Sequence, residues 1–136
     1  MSEQDLFYEL TYYTLSHQSK DFIHQHVVDA FTAQNATKST KPIAVYFALA
    51  GLYLTLEKKY SGKEVQNAHI LFSKKTKKFP LLCLPDSRGK IRVNQVLAAS
   101  PGPDRDTLIK QWCQSVWEAY KSEQEKVTVF TESLLK

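Results

Sequence analysis

The sequence predicts an all-α protein: four main helices in an up-and-down, bundle-like arrangement, with a short extra helix and an extended segment flanked by prolines. The 136 residues include only four glycines and five prolines, and this scarcity of helix breakers favours long helices over many short strands. Hydrophobic residues make up 43%, enough for one core, and several segments repeat apolar residues at helical spacing. We expect a single helical domain over residues 1–136, with a flexible or docked tail at residues 123–136.

Two helices are expected in the first quarter of the chain. The first runs from about Glu3 to Ser16 and is rich in aromatic residues, and the second runs from about Phe22 to Ala36 after a polar turn. Each has one apolar face when its residues are placed about 100° apart. These faces contain Leu6, Leu10 and Tyr13 in the first helix and Ile23, Val27, Ala30 and Gln34 in the second, with His26 at the border.

The third helix is expected to be the central one. It runs from about Pro42 to Tyr60, with Thr40 as its cap, and it is apolar on nearly every side, which is typical of a helix in the middle of a bundle. Ser61 and Glu64 have the spacing of a capping box and predict a fourth helix that continues to about Lys75.

The chain after the fourth helix is expected to be less regular until the last long helix begins. Two prolines exclude a regular helix across Phe79–Pro85, which should be an extended segment over the core. Lys90–Val93 is expected to be a short strand-like piece and Asn94–Ala99 a short helix. The last long helix, about Arg105 to Ser122 with Asp104 as its cap, has the clearest amphipathic pattern. The β-branched run in the tail suits either a strand or more helix; it consists of Val127, Thr128, Val129 and Phe130.

The charge pattern limits the classes of partner. The net charge is +4 and lysines are concentrated at Lys74–Lys78, a run that favours a solvated helix end, with a phosphate-binding patch as the alternative. Arginine, which sequence-specific DNA readers use for bidentate contacts, occurs only three times. Nucleic acid is therefore disfavoured as a partner.

Three features favour a reducing cytoplasmic location without a membrane. The longest apolar run, Ile43 to Leu56, is too short to span a bilayer. The polar N-terminus does not have the pattern of a secretory signal. Cys83 and Cys113 give neither a metal-like spacing nor a disulfide framework.

The histidines raise the question of a metal. Neutral imidazole and carboxylate groups are the usual ligands of zinc and iron. Helical residues two apart point about 200° apart, so His24 and His26 face nearly opposite ways, whereas His26 and Asp29 can converge. The metal hypothesis is a divalent ion such as zinc, bound by His26 and Asp29 with His69 from the fourth helix or His17 from the turn.

The His26–Asp29 pair has two other interpretations, and neither requires a metal. The favoured one is structural: the two side chains pair with each other, or with Tyr12, Tyr13 or Gln34, in a buried polar network. The other is acid–base catalysis without a metal, in which Asp29 orients His26. The sequence contains no nucleophile elbow, phosphate loop or His-Glu-x-x-His motif.

Eight short segments, in this order and spacing, resemble an uncharacterised bacterial family, a domain of unknown function. They are Tyr12–His17, Phe22–Ala30, Lys41–Ala44, Gly51–Leu54, Gly62–His69, Val96–Ala99, Pro101–Pro103 and Trp112–Trp117. The resemblance implies that His17, His24, His26, Asp29 and His69 belong to the family pattern, and it assigns them no role.

The leading functional hypothesis is a non-enzymatic module that binds a small molecule or a protein, a homodimer being one form of the latter. It is supported by the tyrosine-rich first helix and by Trp117, which lies at the edge of its apolar stripe and is expected to be partly exposed at a partner surface. The competing hypothesis is a metal-binding protein or metal-dependent enzyme that uses the His/Asp cluster inside the bundle.

Overall fold

Every regular element of the described chain is helical, which confirms the predicted all-α class. The structure is a computed structural model that describes residues 2–16 and 23–136. In chain order its helices are α1 (Glu3–Ser16), α2 (His24–Asn35), α3 (Pro42–Lys58), α4 (Gly62–Lys75), α5 (Val93–Ala98), α6 (Pro103–Ala119) and α7 (Gln124–Leu135), with a 3-10 turn at Lys121–Glu123 before α7. No helix in these described ranges is both long and apolar enough to cross a membrane.

Helix α3 lies at the centre of the bundle, as its apolar sequence predicts. It packs against α2, α4, α6 and α7, while α1 packs on α2 and on α5. Tyr46, Leu49, Leu52 and Leu54 of α3 are fully buried. Because the surrounding helices cover a helix that has no polar face, burial of its apolar surface is a main contribution to stability.

The helix starts follow local sequence signals in part. Ser61 Oγ accepts a hydrogen bond from the backbone N–H of Glu64, and Glu64 Oε1 accepts one from the N–H of Ser61, so the predicted capping box of α4 is confirmed. The predicted cap of α3 is wrong by one residue: Lys41 occupies the N-cap and Pro42 the first turn. Thr40 instead accepts a hydrogen bond from the N–H of Thr37, which closes the preceding turn.

Two expectations for the region before α6 are also wrong. Lys90–Val93 forms no strand; Arg92 is the N-cap of α5, and Val93 begins that helix with its side chain fully buried. Asp104 does not cap α6, because Gly102 is the N-cap and Pro103 takes the first turn. The positive φ of Gly102, 104°, brings the chain into the helix at a conformation that favours glycine.

The proline-flanked segment is not helical, as the two prolines predict, and polar contacts hold it on the bundle. The Glu123 carboxylate accepts a hydrogen bond from the backbone N–H of Cys83 at 2.7 Å. The Lys126 ammonium donates to the carbonyl oxygen of Leu81 at 3.2 Å. The segment is therefore held by the region just before α7 and by the start of α7 itself.

The tail is a docked helix, which decides between the two alternatives left by its β-branched sequence. Val127, Thr131 and Leu134 of α7 are buried. The Tyr46 and Thr131 hydroxyls are hydrogen-bonded at 2.7 Å. The Lys75 ammonium donates to the carbonyl oxygens of Leu134 at 2.6 Å and Lys136 at 2.7 Å, so one lysine of the Lys74–Lys78 run neutralises the negative end of α7.

The Tyr46–Thr131 hydrogen bond gives a testable measure of this docking. Thr131→Val should lower the free energy of unfolding by about 1–2 kcal/mol, because it removes the partner of a hydroxyl that is fully buried. The double variant Tyr46→Phe/Thr131→Val loses both polar groups together, so its loss should be smaller than the sum of the single losses. Urea unfolding of the wild type, Tyr46→Phe, Thr131→Val and the double variant measures these losses. Strictly additive losses would contradict a hydrogen bond between the two hydroxyls.

Candidate functional site

His26 connects three helices from the first turn of α2. Its side chain is 5% exposed. Its Nε2 atom is hydrogen-bonded to Thr55 Oγ1 of α3 at 3.2 Å, and its carbonyl oxygen accepts a hydrogen bond from the Cys113 thiol of α6 at 3.5 Å. The imidazole is thus linked to α3 by a hydrogen bond, and the backbone of His26 is linked to α6.

A cavity of about 360 Å³ opens beside His26, where α2, α3, α4 and α6 meet. The buried His26 and Cys113 line it together with the half-buried Thr55, and the exposed Lys59 and Lys110 also border it. The other lining residues are Leu56, Tyr60, Ser61, Glu64 and Gln114. Its volume is within the lower part of the range for small-molecule sites, about 300–1,000 Å³.

Asp29 lies one turn further along α2 and is buried, with 3% of its surface exposed. Its Oδ1 atom accepts a hydrogen bond from Gln25 Nε2 at 3.0 Å, and Gln25 in turn accepts one from Gln66 of α4 at 3.2 Å. Within residues 2–16 and 23–136, its Oδ2 atom has no hydrogen-bond partner. Burial raises the pKa of the Asp29 carboxyl well above its ordinary value.

Gly51 of α3 makes room for this carboxyl group. A Cβ atom at position 51 would lie 1.9 Å from Oδ2 and 2.7 Å from Cγ of Asp29. Any side chain at this position would therefore collide with the carboxyl group. His26 and Asp29 both face α3, at Thr55 and Gly51 respectively, and these two positions are one helical turn apart.

The structure does not place the other predicted metal ligands beside His26 and Asp29. His69 of α4 is hydrogen-bonded through Nε2 to the carbonyl oxygen of Phe47 at 3.0 Å and stacks on the Phe47 ring, with a centroid distance of 4.6 Å. Burial lowers the pKa of His69 to about 4. His17 lies outside the described residues. Within the described part of the chain, no three His, Cys, Asp or Glu side chains are grouped to hold a metal ion, and the metal site that includes His17 stays a prediction.

His24 points away from His26, as the helical geometry predicts. Its Nδ1 atom is hydrogen-bonded to Thr14 Oγ1 of α1 at 3.0 Å. Burial lowers its pKa. His24 therefore belongs to the contact between α1 and α2 and does not line the cavity.

The buried polar network exists, but with other members than those expected. Asp29 pairs with Gln25 and not with Gln34. Gln34 accepts a hydrogen bond from the Trp112 indole at 3.0 Å and donates to the carbonyl oxygens of Arg88 and Ile91. Tyr12 is 76% exposed and so lies outside any buried network.

The expected exposure of Trp117 is wrong. Its side chain is 2% exposed, and its indole N–H donates to Glu57 at 2.8 Å. Among residues 2–16 and 23–136, the exposed aromatic residues are Tyr8 and Tyr12 on α1, at 60% and 76%. A homodimer or protein partner on that helix stays a prediction, now without Trp117.

Sequence reasoning missed the residues that complete the cavity around His26. Thr55, Lys59, Lys110 and Cys113 come from two helices far apart in sequence, and no motif connects them. One local signal was available: no glycine directly follows Lys58, the last residue of α3, although glycine is the usual left-handed residue just after a helix.

The chain matches a family model over residues 4–121, and the model is described as a family of unknown function (DUF5946). The chain belongs to this family. This confirms the expected membership in a domain of unknown function. All the residues that line the cavity fall inside the matched part of this DUF5946 chain, whereas α7 lies beyond it. Comparison with curated proteins and with solved structures gave no match.

Proposed function

We propose that this DUF5946 protein binds a small polar molecule in the cavity beside His26. The observation that carries the proposal is a cavity of about 360 Å³ that is bordered by a buried histidine and by the Thr55 hydroxyl to which it is hydrogen-bonded. Ligand sites are typically concave and contain a few polar groups that fix the orientation of the ligand. The Thr55 hydroxyl, which is hydrogen-bonded to His26, is such a group.

The chemistry of the groups that line the cavity favours ligand binding over nucleophilic catalysis. The Thr55 hydroxyl has both donor and acceptor capacity, so it can bond a ligand while it stays hydrogen-bonded to His26. Cys113 is 2% exposed, and burial raises the pKa of its thiol, so it stays protonated and is a poor nucleophile. The cavity therefore offers fixed polar contacts and a neutral thiol.

A matched pair of variants on α6 tests the proposal. Gln114 lines the cavity, and Gln111 lies one turn earlier on the same helix, is also exposed and does not line it. A library of small polar compounds is screened by NMR against the wild-type protein. We expect binders to shift the amide signals of His26, Thr55 and Cys113.

The two variants then separate cavity binding from surface binding. Gln114→Trp should weaken these binders by about tenfold or more, a loss of about 1.4 kcal/mol, because the indole fills the opening. Gln111→Trp should bind like the wild type. The proposal is wrong if no compound shifts the three signals, or if Gln114→Trp binds as well as Gln111→Trp.

A further inference from the structure

Lys59 has an unusual backbone conformation at the edge of the cavity. It is the only non-glycine residue in the described ranges with a positive φ, 61°, and it forms the left-handed end of α3. Glycine adopts this conformation without the steric cost of a Cβ atom and is the usual residue at such helix ends. The N–H groups of Lys59 and Tyr60 both donate to the carbonyl oxygen of Leu54, contacts that glycine at position 59 would also allow.

The helix end therefore does not explain why residue 59 is a lysine. Its one hydrogen bond among the described residues goes from Nζ to the carbonyl oxygen of Leu56 at 3.1 Å. Residues in sparsely populated backbone regions are often found at functional sites. Lys59 borders the cavity, so a ligand in the cavity is such a reason.

A second lysine borders the same cavity from another helix. Lys110 is an exposed residue of α6. Among the residues that the structure describes, neither Lys59 nor Lys110 takes part in an ion pair. The lining also contains one carboxylate, Glu64, and this group accepts the Ser61 N–H at 2.9 Å in the capping box. The cavity thus has two unpaired cationic groups against one carboxylate that is engaged in the cap.

We propose that the molecule bound in this cavity carries an oxyanion, either a carboxylate or a phosphate, and that Lys59 and Lys110 bind it. The proposal rests on the proposed function, because it specifies the ligand of the same cavity. Lysine is well suited to this role because its ammonium is a compact charge on a flexible stem that can approach an anion of either geometry. The Thr55 hydroxyl then contacts the polar remainder of the molecule.

The test uses three simple probes on the full chain. Inorganic phosphate and acetate are the two oxyanion sources, and acetamide is the neutral analogue of acetate. Each is titrated into the labelled protein while the amide signals of His26, Thr55 and Cys113 are followed by NMR. We expect at least one anion to bind about tenfold more tightly than acetamide, a difference of about 1.4 kcal/mol.

Three lysine variants test which ammonium groups bind the anion. Lys59→Gly and Lys110→Gln should each weaken binding of the anion by about fivefold or more, with no change for acetamide. Lys63→Gln removes an exposed lysine just outside the lining and should bind like the wild type. Lys59→Gly should in addition raise the melting temperature, because it removes the left-handed lysine.

The outcomes separate this proposal from the one that it rests on. If compounds from the polar library bind in the cavity while phosphate and acetate bind no better than acetamide, the oxyanion proposal is overturned and the binding function stands. If nothing shifts the cavity signals, both fall. Equal anion binding by Lys59→Gly, Lys110→Gln and Lys63→Gln would also overturn the oxyanion proposal.

Discussion

Gly51→Ala should lower the free energy of unfolding by about 3 kcal/mol or more, the upper range for overpacking a core. The new methyl group would lie 1.9 Å from Oδ2 and 2.7 Å from Cγ of Asp29, so rotating the carboxyl group alone cannot relieve the overlap. In the interior of an unconstrained helix the same change stabilises by about 0.5–1 kcal/mol. The sign of the effect therefore reports whether Asp29 packs on Gly51.

Urea unfolding measures this effect, and two further variants interpret it. Asp29→Ala in the Gly51→Ala background removes the colliding group and should recover part of the lost stability. Gly102→Ala is the control: a Cβ atom there meets nothing within 4 Å, so only the strain of φ 104° opposes it. A Gly51→Ala protein as stable as the wild type would show that the carboxyl group does not lie against α3.

Asp29→Asn should make the protein more stable at neutral and alkaline pH while changing little in mild acid. The pKa of Asp29 is raised in the folded protein by burial, so the native state binds this proton more tightly than the unfolded chain does. The contribution of protonated Asp29 is fully present below the unfolded pKa of about 3.9 and is lost as the pH rises through the folded pKa. Asparagine is neutral throughout and can still accept the hydrogen bond from Gln25.

The measurement is the free energy of unfolding of both proteins from about pH 4 to pH 9. Starting near the unfolded pKa, the advantage of Asp29→Asn should grow by up to about 1.4 kcal/mol for each pH unit, until the folded pKa is reached. Glu9→Gln, which removes one carboxylate from the exposed surface of α1, controls for the change in net charge. A constant difference between wild type and Asp29→Asn across this range would contradict a raised pKa.

Local signals in the sequence were enough to predict most of the helices. The capping box at Ser61 and Glu64 and the proline at position 42 act within one helical turn, so the residues that form each signal are close in sequence. The strand-like prediction at Lys90–Val93 failed because burial of Val93 and Val96 against the bundle decides that segment. The tail had a helical signal in the spacing of Val127, Thr131 and Leu134, obscured by its β-branched residues.

The site was predictable only where it depends on helix geometry. The sequence correctly separated His24 from His26 and correctly indicated that His26 and Asp29 face the same side. It could not show that this side meets Thr55 and Gly51 of α3, because those contacts depend on how two helices are aligned. For the same reason the exposure of Trp117 was misjudged: its indole is covered through a contact with Glu57, 60 positions earlier in the chain.

Helix α7 lies outside the family match but contributes to the packing of the central helix. The family match ends at residue 121, yet α7 covers Tyr46 on the central helix and supplies Glu132, which accepts hydrogen bonds from Tyr53 and Lys58. A fragment cut at the family boundary would expose part of α3 to water and invite aggregation. A piece of this chain intended for expression should therefore keep α7 through Leu135 and not stop at residue 121.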